Sequence, residues 1–556
     1  MATEDQQTTT THRTLGPGRA VRAGTDTDYR EVIEAAGEPH LVRTDLLPGG
    51  RRGDAATDGG LSLAHLAHIT DVQLIDHQSP GRLECLHQLV GDPRTRGLIP
   101  MIRPQELMGA HATDALVRAL NAAGRSGLTG APLQLTISTG DSIDNTQWNE
   151  MQGFLALLSG GAVVPDSGGD AYEGVQDGRF AWTWAPEVPG HPYAKAHGFP
   201  EAPGILDAAR RPFSAAGLST PWISAYGNHD GLIQGRAPIT AALAEILTGD
   251  RKVITVGDGD LPDVGTQMPG FFTGDDHLVT ADDGRRPLTR QEYMAAHLGD
   301  GGNPGGHGFT PRNLEEGTAY YVYDALPGVR IITLDTTNTD GYANGSIGTR
   351  QLAWLHERLA EVNPRHLDTD GRWVTGGDDD RLVVIATHHS RDLMDNPYEA
   401  PTPIDAMAAD GPRHTGLVLE AALHCYPNVV AWINGHIHKH IVEPRQGPAG
   451  GYWEITTSSV LEWPSQARLI EILDRSDGTL SLRCTVIDHQ GPAHPGGVDS
   501  VLDLAAWHRQ LAANDPTGVN GLDASGRAID RNVTCVCPTP GDWPADRAPG
   551  RRWGPA

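Results

Sequence analysis

The fold of this chain is decided by residues 133–145, LQLTISTGDSIDN. An apolar run rich in strand-forming residues ends at Gly140, and Asp141 follows at once. An α/β protein presents a carboxylate in this way at the C-terminal edge of its sheet. The stretch therefore predicts a strand that delivers Asp141 to a site at the sheet edge.

Four further polar clusters follow similar apolar runs. HITDVQ at residues 68–73 precedes the first stretch, and three clusters come after it: YGNHD at 226–230, THHS at 387–390 and NGHIH at 434–438. Together the clusters supply carboxylate oxygens, amide oxygens and imidazole nitrogens. This is the ligand mix of a divalent transition-metal site, so we expect such a site where the strands end.

The bulk composition indicates a soluble globular protein. The chain has 556 residues, of which 38% are hydrophobic, and its mean hydropathy is −0.36. No run approaches the length of a membrane-spanning helix, so no membrane association is expected. The first residues, Met1–Gln6, are polar and no apolar segment follows them. We therefore expect a cytoplasmic location.

The net charge restricts the partners. Forty-three basic and 70 acidic side chains give a formal charge of −27. Such a surface repels nucleic acid, so no nucleic-acid polymer is expected as a partner. A protein of this charge that handles phosphate esters needs local cations, which bound metals would supply. The oligomeric state cannot be predicted from the sequence.

Three regions are predicted along the chain. Residues 1–58 form a partly disordered N-terminal arm with a loosely docked extension, 59–490 form the catalytic domain, and 491–556 form a C-terminal helix and tail. Two long segments within the domain, 159–220 and 231–318, are rich in Gly, Pro and Asp and show no clear period. We expect them to be irregular loop insertions that cover the site and determine specificity.

In their order along the chain, the motifs Asp-x-Gln, Gly-Asp-x-x-Asp-Asn, Gly-Asn-His-Asp, His-His and Gly-His-x-His resemble the calcineurin-like metallophosphoesterase superfamily. The resemblance covers roughly residues 61–487. It implies an α/β (α+β) fold, a two-sheet β-sandwich flanked by helices, with a dimetal site at the strand ends. It also implies hydrolysis of a phosphomonoester or phosphodiester, with a metal-bridging hydroxide as the nucleophile.

The resemblance also implies roles for single residues. Asp141 resembles the carboxylate that bridges both metals, and Asp71 and His438 resemble ligands of the first metal. Three side chains resemble ligands of the second metal: Asn228, His388 and His436. His436 and His438 stand two residues apart, so on an extended segment they would point the same way and one segment could serve both metals.

The catalytic and substrate residues are implied in the same way. His229 resembles the general acid that protonates the leaving oxygen, and Asp144 resembles the residue that orients it. His389 either contacts substrate or packs beside His388, and the sequence leaves both open. Asn145 stands where the Ser/Thr protein phosphatases carry a phosphate-gripping Arg, which argues against that branch and makes Asn145 a candidate substrate contact.

Gln73 departs from the pattern of many relatives, which have a histidine there. An amide oxygen can ligate a hard cation but is a weaker ligand than imidazole for Zn²⁺ or iron. Gln73 therefore predicts either weaker binding of the first metal or Mn²⁺ or Mg²⁺ as its identity. For the pair, the sequence leaves Mn²⁺, Fe²⁺ or Fe³⁺, Zn²⁺ and Mg²⁺ open.

Two functions are consistent with these motifs. The first is a metal-dependent phosphoesterase whose substrate is a small-molecule phosphate ester. The alternative is a non-catalytic scaffold of the same fold that binds a protein partner, and Gln73 is the only residue in its favour. Other hydrolase and nucleotide-binding classes find no support, because the chain has neither a P-loop nor a Gly-x-Ser-x-Gly elbow.

Overall fold

The computed structural model describes residues 9–48, 59–92, 100–256, 268–338, 343–399 and 410–540. Their strands are β1 Arg13–Arg22, β2 Tyr29–Ala36, β3 Leu41–Arg43, β4 Leu61–Ile69, β5 Leu135–Ser138, β6 Gly161–Val163, β7 Phe213–Ala215, β8 Trp222–Ser224, β9 Arg251–Val253, β10 Asp276–Leu278, β11 Tyr321–Leu326, β12 Val329–Thr333, β13 Ile347–Gly348, β14 Arg365–Leu367, β15 Trp373–Thr375, β16 Leu382–Ala386, β17 Arg413–His414, β18 Val429–Asn434, β19 Ile441–Gly447, β20 Gly450–Thr456, β21 Gln466–Asp474, β22 Thr479–Asp488 and β23 Val533–Pro538.

Eleven α-helices accompany these strands in the same ranges. They are α1 Gly109–Ala122, α2 Trp148–Ser159, α3 Pro192–His197, α4 Ile205–Arg210, α5 Leu232–Gly235, α6 Ala241–Thr248, α7 Arg290–Gly299, α8 Pro311–Glu316, α9 Thr349–Glu361, α10 Gly416–Leu423 and α11 Val501–Ala512. Short 3₁₀ turns at Glu84–Leu89 and Glu106–Met108 precede α1.

Two large sheets form the centre of the fold. The seven-stranded sheet has the order β3-β23-β22-β21-β4-β5-β8, and the six-stranded sheet has the order β11-β12-β16-β18-β20-β19. In the first sheet β4, β5 and β8 are parallel, and in the second β12, β16, β18 and β20 are parallel. The carboxyl ends of the parallel strands therefore meet at one edge of each sheet.

The two sheets share one hydrophobic core. It combines buried side chains of the seven-stranded sheet, such as Leu66 and Ile137, with those of the six-stranded sheet, such as Val384 and Ile433. A second cluster lies between the six-stranded sheet and helices α9 and α10, and α1 packs against α2 and α11. Both faces of the central strands are covered, which explains their unbroken apolar sequences. The predicted two-sheet sandwich flanked by helices is confirmed.

The N-terminal region differs from the predicted loosely docked extension. Residues 13–36 form the antiparallel pair β1–β2, and β3 pairs in parallel with β23 at the edge of the seven-stranded sheet. The buried hydroxyl of Thr10 donates to the Val486 carbonyl at 3.0 Å. Composition could not show the docking of β3, because its pairing partner β23 lies about five hundred residues away along the chain. Residues 1–8 and 49–58 of the predicted arm lie outside the described residues.

The two insertions contain more regular structure than predicted. Segment 159–220 includes β6, α3, α4 and β7, and the described part of segment 231–318 includes α5–α8, β9 and β10. Helix α7 begins with a capping box in which Thr289 and Glu292 bond each other's backbone N–H groups. The proposed domain boundaries remain predictions. Strand β3, from the predicted N-terminal arm, and strand β23, from the predicted C-terminal tail, both belong to the seven-stranded sheet of the central domain.

None of the described helices is both long and apolar enough to span a membrane.

Candidate metal centre

Five strands of the two sheets deliver the predicted ligands to one place. Asp71 follows β4, Asp141 follows β5 and Asn228 follows β8, while His388 and His436 follow β16 and β18. Each of these strands ends at the carboxyl edge of its parallel set. The structure therefore brings together the motifs that the sequence separates by up to 365 residues.

The predicted ligands sit on strained backbone. Asp71, Gln73, Asp141, His436 and His438 have φ values of 52°, 43°, 51°, 66° and 55°. Residues with a side chain rarely adopt this left-handed region, and each instance costs of the order of 1–3 kcal/mol. Such backbone persists only where the surroundings impose it, and it clusters at active sites and ligand-binding loops.

Two motif glycines allow the loops to approach the carboxylates. A Cβ atom on Gly227 would lie 2.2 Å from the backbone nitrogen and from Oδ1 of Asp141. A Cβ atom on Gly435 would lie 2.0 Å from Thr70 Oγ1 and 2.5 Å from Asp71 Oδ2. These contacts are too short for any side chain, which explains a glycine before both Asn228 and His436.

Asp141 lies at the centre of the cluster. Its Oδ1 accepts the His229 backbone N–H at 2.8 Å and lies 3.2 Å from His388 Nε2. Its Oδ2 accepts from Gln73 Nε2 at 3.1 Å. Burial acts to raise the pKa of this carboxyl, but the charges of His388 and His229 hold that pKa well below its usual range.

One group of side chains surrounds His388. Its Nε2 lies 3.0 Å from Asn228 Oδ1 and 3.1 Å from His436 Nδ1. Its Nδ1 lies 2.9 Å from the Thr139 carbonyl, which can only accept, so Nδ1 carries a proton and Nε2 faces the cluster. Burial lowers the pKa of His388, but the Asp141 carboxylate outweighs burial and raises that pKa to about 9.

A second group surrounds His438. Its Nε2 lies 3.3 Å from Asp71 Oδ1 and 3.4 Å from Gln73 Nε2. Its Nδ1 lies 3.1 Å from Glu462 Oε2. Burial lowers the pKa of His438, but the carboxylates of Glu462 and Asp71 outweigh burial and raise that pKa to about 10. A carboxylate behind a histidine in this way fixes the ring and makes it a better ligand.

The donor set fits divalent cations. The buried atoms Asp71 Oδ1 and Gln73 Oε1 make no hydrogen bond with the described residues. Buried acceptors without a donor are costly, and a cation would satisfy them. Two sets of ligand atoms each lie within 4.8 Å of one another: one from Asp71, Asp141 and His388, the other from His388, His389 and His436.

His229 and Asp144 form a pair beside the cluster. His229 Nδ1 lies 2.9 Å from Asp144 Oδ1, and its Nε2 lies 3.8 Å from Asp141 Oδ2. Burial acts to raise the pKa of Asp144, but the hydrogen bond from His229 and the charge of Arg82 hold that pKa below its usual range. An ionised Asp144 keeps the proton on Nδ1 and leaves Nε2 directed toward the cluster.

His389 and Asn145 both bond to local partners beside the cluster. His389 is fully buried, and its ring nitrogens lie 2.9 Å from Thr336 Oγ1 and 2.7 Å from the Ala343 carbonyl. Asn145 donates to the Gly81 carbonyl at 3.2 Å and accepts the Ile233 N–H at 2.7 Å. Their polar atoms bond to these local partners, and the substrate contacts remain predictions. The two alternatives for His389, a substrate contact and packing beside His388, both stay open.

Sequence reasoning missed four buried charged residues next to this site: Arg82, Arg103, Glu106 and Glu462. No motif marks them, and charged residues in such segments are ordinarily exposed. It also gave no role to Asp230, although the Gly-Asn-His-Asp motif contains it. Asp230 accepts the backbone N–H groups of Ser142 at 2.9 Å and Gly227 at 2.8 Å, which ties two ligand loops together.

Fold and site together define a two-sheet α/β sandwich with a candidate two-metal centre at its strand ends. This is the architecture that the resemblance to the calcineurin-like metallophosphoesterases implies, and at the level of the fold the resemblance is confirmed.

No family model and no curated protein matches the chain. A dimetal phosphatase from Danio rerio is 12% identical over 77% of this chain and 99% of its own, with a TM-score of 0.31. The Plasmodium protein GAP50, an anchor in the inner membrane complex, is 9% identical over 76% of this chain and 84% of its own, with a TM-score of 0.23. The sulfate thiohydrolase SoxB of Thermus thermophilus is 11% identical over 78% of this chain and 58% of its own, with a TM-score of 0.26.

Such distant likenesses carry no argument about function. The function is therefore inferred from the geometry of the site.

Proposed function

We propose that this chain is a metal-dependent phosphoesterase that hydrolyses a small-molecule phosphomonoester or phosphodiester. One observation carries the proposal: five strand ends bring three imidazoles, two carboxylates and two amides into one buried cluster in which Asp71 Oδ1 and Gln73 Oε1 have no hydrogen-bond donor. A cluster of this composition is suited to two divalent ions rather than to structural support alone.

The residues would divide between the two ions. Asp141, central to the cluster, would contact both. Two sets would hold one ion each: Asp71, Gln73 and His438 for the first, and Asn228, His388 and His436 for the second. When bound, such a pair of ions activates a water molecule and neutralises the charge of the transferred phosphoryl group.

His229 would act as the general acid. Its Nε2 faces the cluster, and the 2.9 Å contact from Nδ1 to Asp144 fixes the ring orientation. A protonated imidazole in this position can give its Nε2 proton to the leaving oxygen as the P–O bond breaks. Asp144 holds the ring in this orientation until that transfer.

Metal reconstitution tests this proposal. The purified protein is stripped of metal and titrated with Mn²⁺, Mg²⁺, Zn²⁺ and Fe²⁺ while p-nitrophenyl phosphate and bis-p-nitrophenyl phosphate are hydrolysed. We expect turnover that depends on two bound ions per chain, with Mn²⁺ effective because Gln73 offers an amide oxygen. The ratio of the two rates separates monoesterase from diesterase.

The same experiment addresses the alternative. A protein that binds no metal and hydrolyses neither ester would contradict the phosphoesterase proposal and leave the scaffold. The cytoplasmic location is part of the proposal and is tested separately, by fractionation of the source cells.

A further inference from the structure

A buried chain of alternating charges joins the two sides of the site. It consists of Asp144, Arg82, Glu106, Arg103 and Glu462, and each of these side chains is at most 7% exposed. One end contacts the proposed general acid and the other contacts a proposed metal ligand. Four of the five residues have no place in the sequence motifs.

The first arm ends at His229. Arg82 Nε lies 3.7 Å from Asp144 Oδ2, and Asp144 Oδ1 lies 2.9 Å from His229 Nδ1. Arg82 also donates to the Met101 carbonyl at 3.0 Å. The guanidinium therefore stands behind the carboxylate that orients the general acid.

The second arm ends at His438. Arg103 Nε donates to Glu462 Oε1 at 2.6 Å, and Glu462 Oε2 lies 3.1 Å from His438 Nδ1. The loop that carries Glu462 is fixed to the same ligand group, because Ser459 Oγ donates to the Asp71 carbonyl at 2.9 Å. Arg103 thus stands behind the carboxylate that orients this ligand.

Glu106 connects the two arms. Its Oε1 accepts from Arg82 Nη1 at 2.5 Å, and its Oε2 accepts the backbone N–H of Arg103 at 3.0 Å. Arg82 has a third carboxylate neighbour besides Glu106 and Asp144, namely Glu84 at 3.7 Å, but Glu84 is already paired with Lys252 at 2.7 Å. Glu106 is therefore the nearest counter-charge of Arg82 and a backbone anchor of Arg103.

Burial makes this arrangement sensitive to a single change. When one member of a buried ion pair loses its charge, the other remains desolvated and unpaired, which is strongly destabilising. We expect such a group to move toward another partner. For Arg82 the other carboxylates at hand are Glu84 and Asp144. A shift of Arg82 toward Asp144 would draw that carboxylate away from His229.

We propose that Glu106 is a positioning residue that orients His229 through Arg82 and Asp144 and orients His438 through Arg103 and Glu462. The inference rests on the proposed phosphoesterase function and adds to it a residue that does not itself reach the site. It predicts that one remote substitution affects both proton donation and metal binding.

The test uses Glu106→Gln in the full-length protein. Misplacement of the general acid should slow the release of a poor leaving group more than that of a good one. We expect turnover of phenyl phosphate to fall about tenfold more than turnover of p-nitrophenyl phosphate. Mn²⁺ binding, followed by calorimetry, should weaken by about tenfold at one of the two sites.

Two further variants serve as controls. Glu106→Asp keeps the charge and should recover part of both effects. Glu471→Gln changes another buried carboxylate, which accepts from Ser126 Oγ at 2.6 Å and has no contact with the site; it should change neither the ratio of the two esters nor Mn²⁺ binding. Circular dichroism verifies that each variant folds.

The outcomes separate this inference from the proposed function. A wild-type protein without metal binding or turnover would overturn the function, and the inference with it. An active wild type whose Glu106→Gln variant binds Mn²⁺ normally, or loses activity equally on both esters, would overturn only the role of Glu106. If Glu106→Gln does not fold, Glu106→Asp is measured alone. Its carboxylate is one methylene shorter in reach, so it should show smaller losses of the same two kinds, and an ester ratio and Mn²⁺ affinity identical to those of the wild type would overturn the role.

Discussion

Two pairs of buried histidines in this molecule, His388 and His438 at the sheet edge and His111 and His508 in the helical flank, behave in opposite ways. At the sheet edge, the pKa of His388 is raised to about 9 and that of His438 to about 10. In the helical flank where α1 packs against α11, burial lowers the pKa of both His111 and His508 to about 3. All four rings are almost completely enclosed.

The partners, not the burial, make the difference. The edge histidines face the carboxylates of Asp141, Asp71 and Glu462, whereas burial dominates for the flank histidines and no carboxylate raises their pKa. A buried carboxylate cluster favours any nearby positive charge. The same histidines can therefore hold a proton when no metal is bound and bind a metal ion when one is present. The flank histidines are neutral packing residues. The predictions below test this contrast, beginning with the largest effect.

Asp141→Asn should abolish the cation-binding character of the edge. The substitution removes the carboxylate that faces both ligand groups, and we expect turnover to fall by at least about 10³-fold with the loss of both ions. Elemental analysis and p-nitrophenyl phosphate hydrolysis measure the two effects.

Asp114→Asn is the matched control in the flank, where Asp114 is buried and accepts a hydrogen bond from Arg118 at 2.7 Å. Retained activity in Asp141→Asn would contradict the central role of Asp141.

His229→Gln should separate proton donation from metal binding at the edge. Without the imidazole, we expect about a 10²-fold loss with phenyl phosphate, a smaller loss with p-nitrophenyl phosphate and no change in bound metal. The corresponding flank variant, His111→Gln, should leave the ratio of the two esters unchanged. An equal loss on both esters in His229→Gln would contradict a role as general acid.

The sequence allowed much of the edge to be predicted, because each ligand directly follows a strand. Apolar runs that end in Gly-Asp or Gly-Asn-His are local patterns that can be read from the sequence. Parallel pairing of the strands then places these ends at one edge of the sheet, so no long-range contact has to be predicted. His111 and His508, by contrast, lie within helices α1 and α11 and follow no strand.

The residues that the sequence did not reveal depend on long-range packing. Arg103 and Glu462 are 359 positions apart, yet their side chains are 2.6 Å apart. Nothing local distinguishes such a buried pair from two exposed charges. The substrate contacts of His389 and Asn145 remain predictions, and the sequence did not show that Thr336 and Gly81 would bond to their polar atoms.

The flank histidines should make the protein sensitive to acid. Their folded-state pKa of about 3 lies below the unfolded value of 6.5, so between these values the unfolded state binds more protons and stability falls as the pH falls. Each histidine contributes up to about 1.4 kcal/mol per pH unit in this window.

His111→Leu tests this contribution. Urea unfolding from pH 6.5 to pH 4.5 should give a shallower loss of unfolding free energy in the variant than in the wild type. His494→Leu, which replaces an exposed histidine, is the control and should keep the wild-type slope. Parallel curves for His111→Leu and the wild type would show that His111 does not titrate as its burial implies.

Gln73→His should give the smallest effect, a change in metal affinity. It tests whether residue 73 is itself a metal ligand at the sheet edge. Gln73 Nε2 donates to Asp141 Oδ2 at 3.1 Å, and its Oε1 is buried without a donor. An imidazole in this position would replace a weak amide ligand by a stronger one for Zn²⁺ or Fe²⁺, while Mg²⁺ gains nothing from nitrogen. We expect binding of Zn²⁺ to the weaker site to tighten by up to about tenfold and that of Mg²⁺ to stay the same or weaken. Calorimetric titration of the two proteins with each ion measures this shift. Equal changes for Zn²⁺ and Mg²⁺ would show that residue 73 acts on Asp141 and not as a ligand.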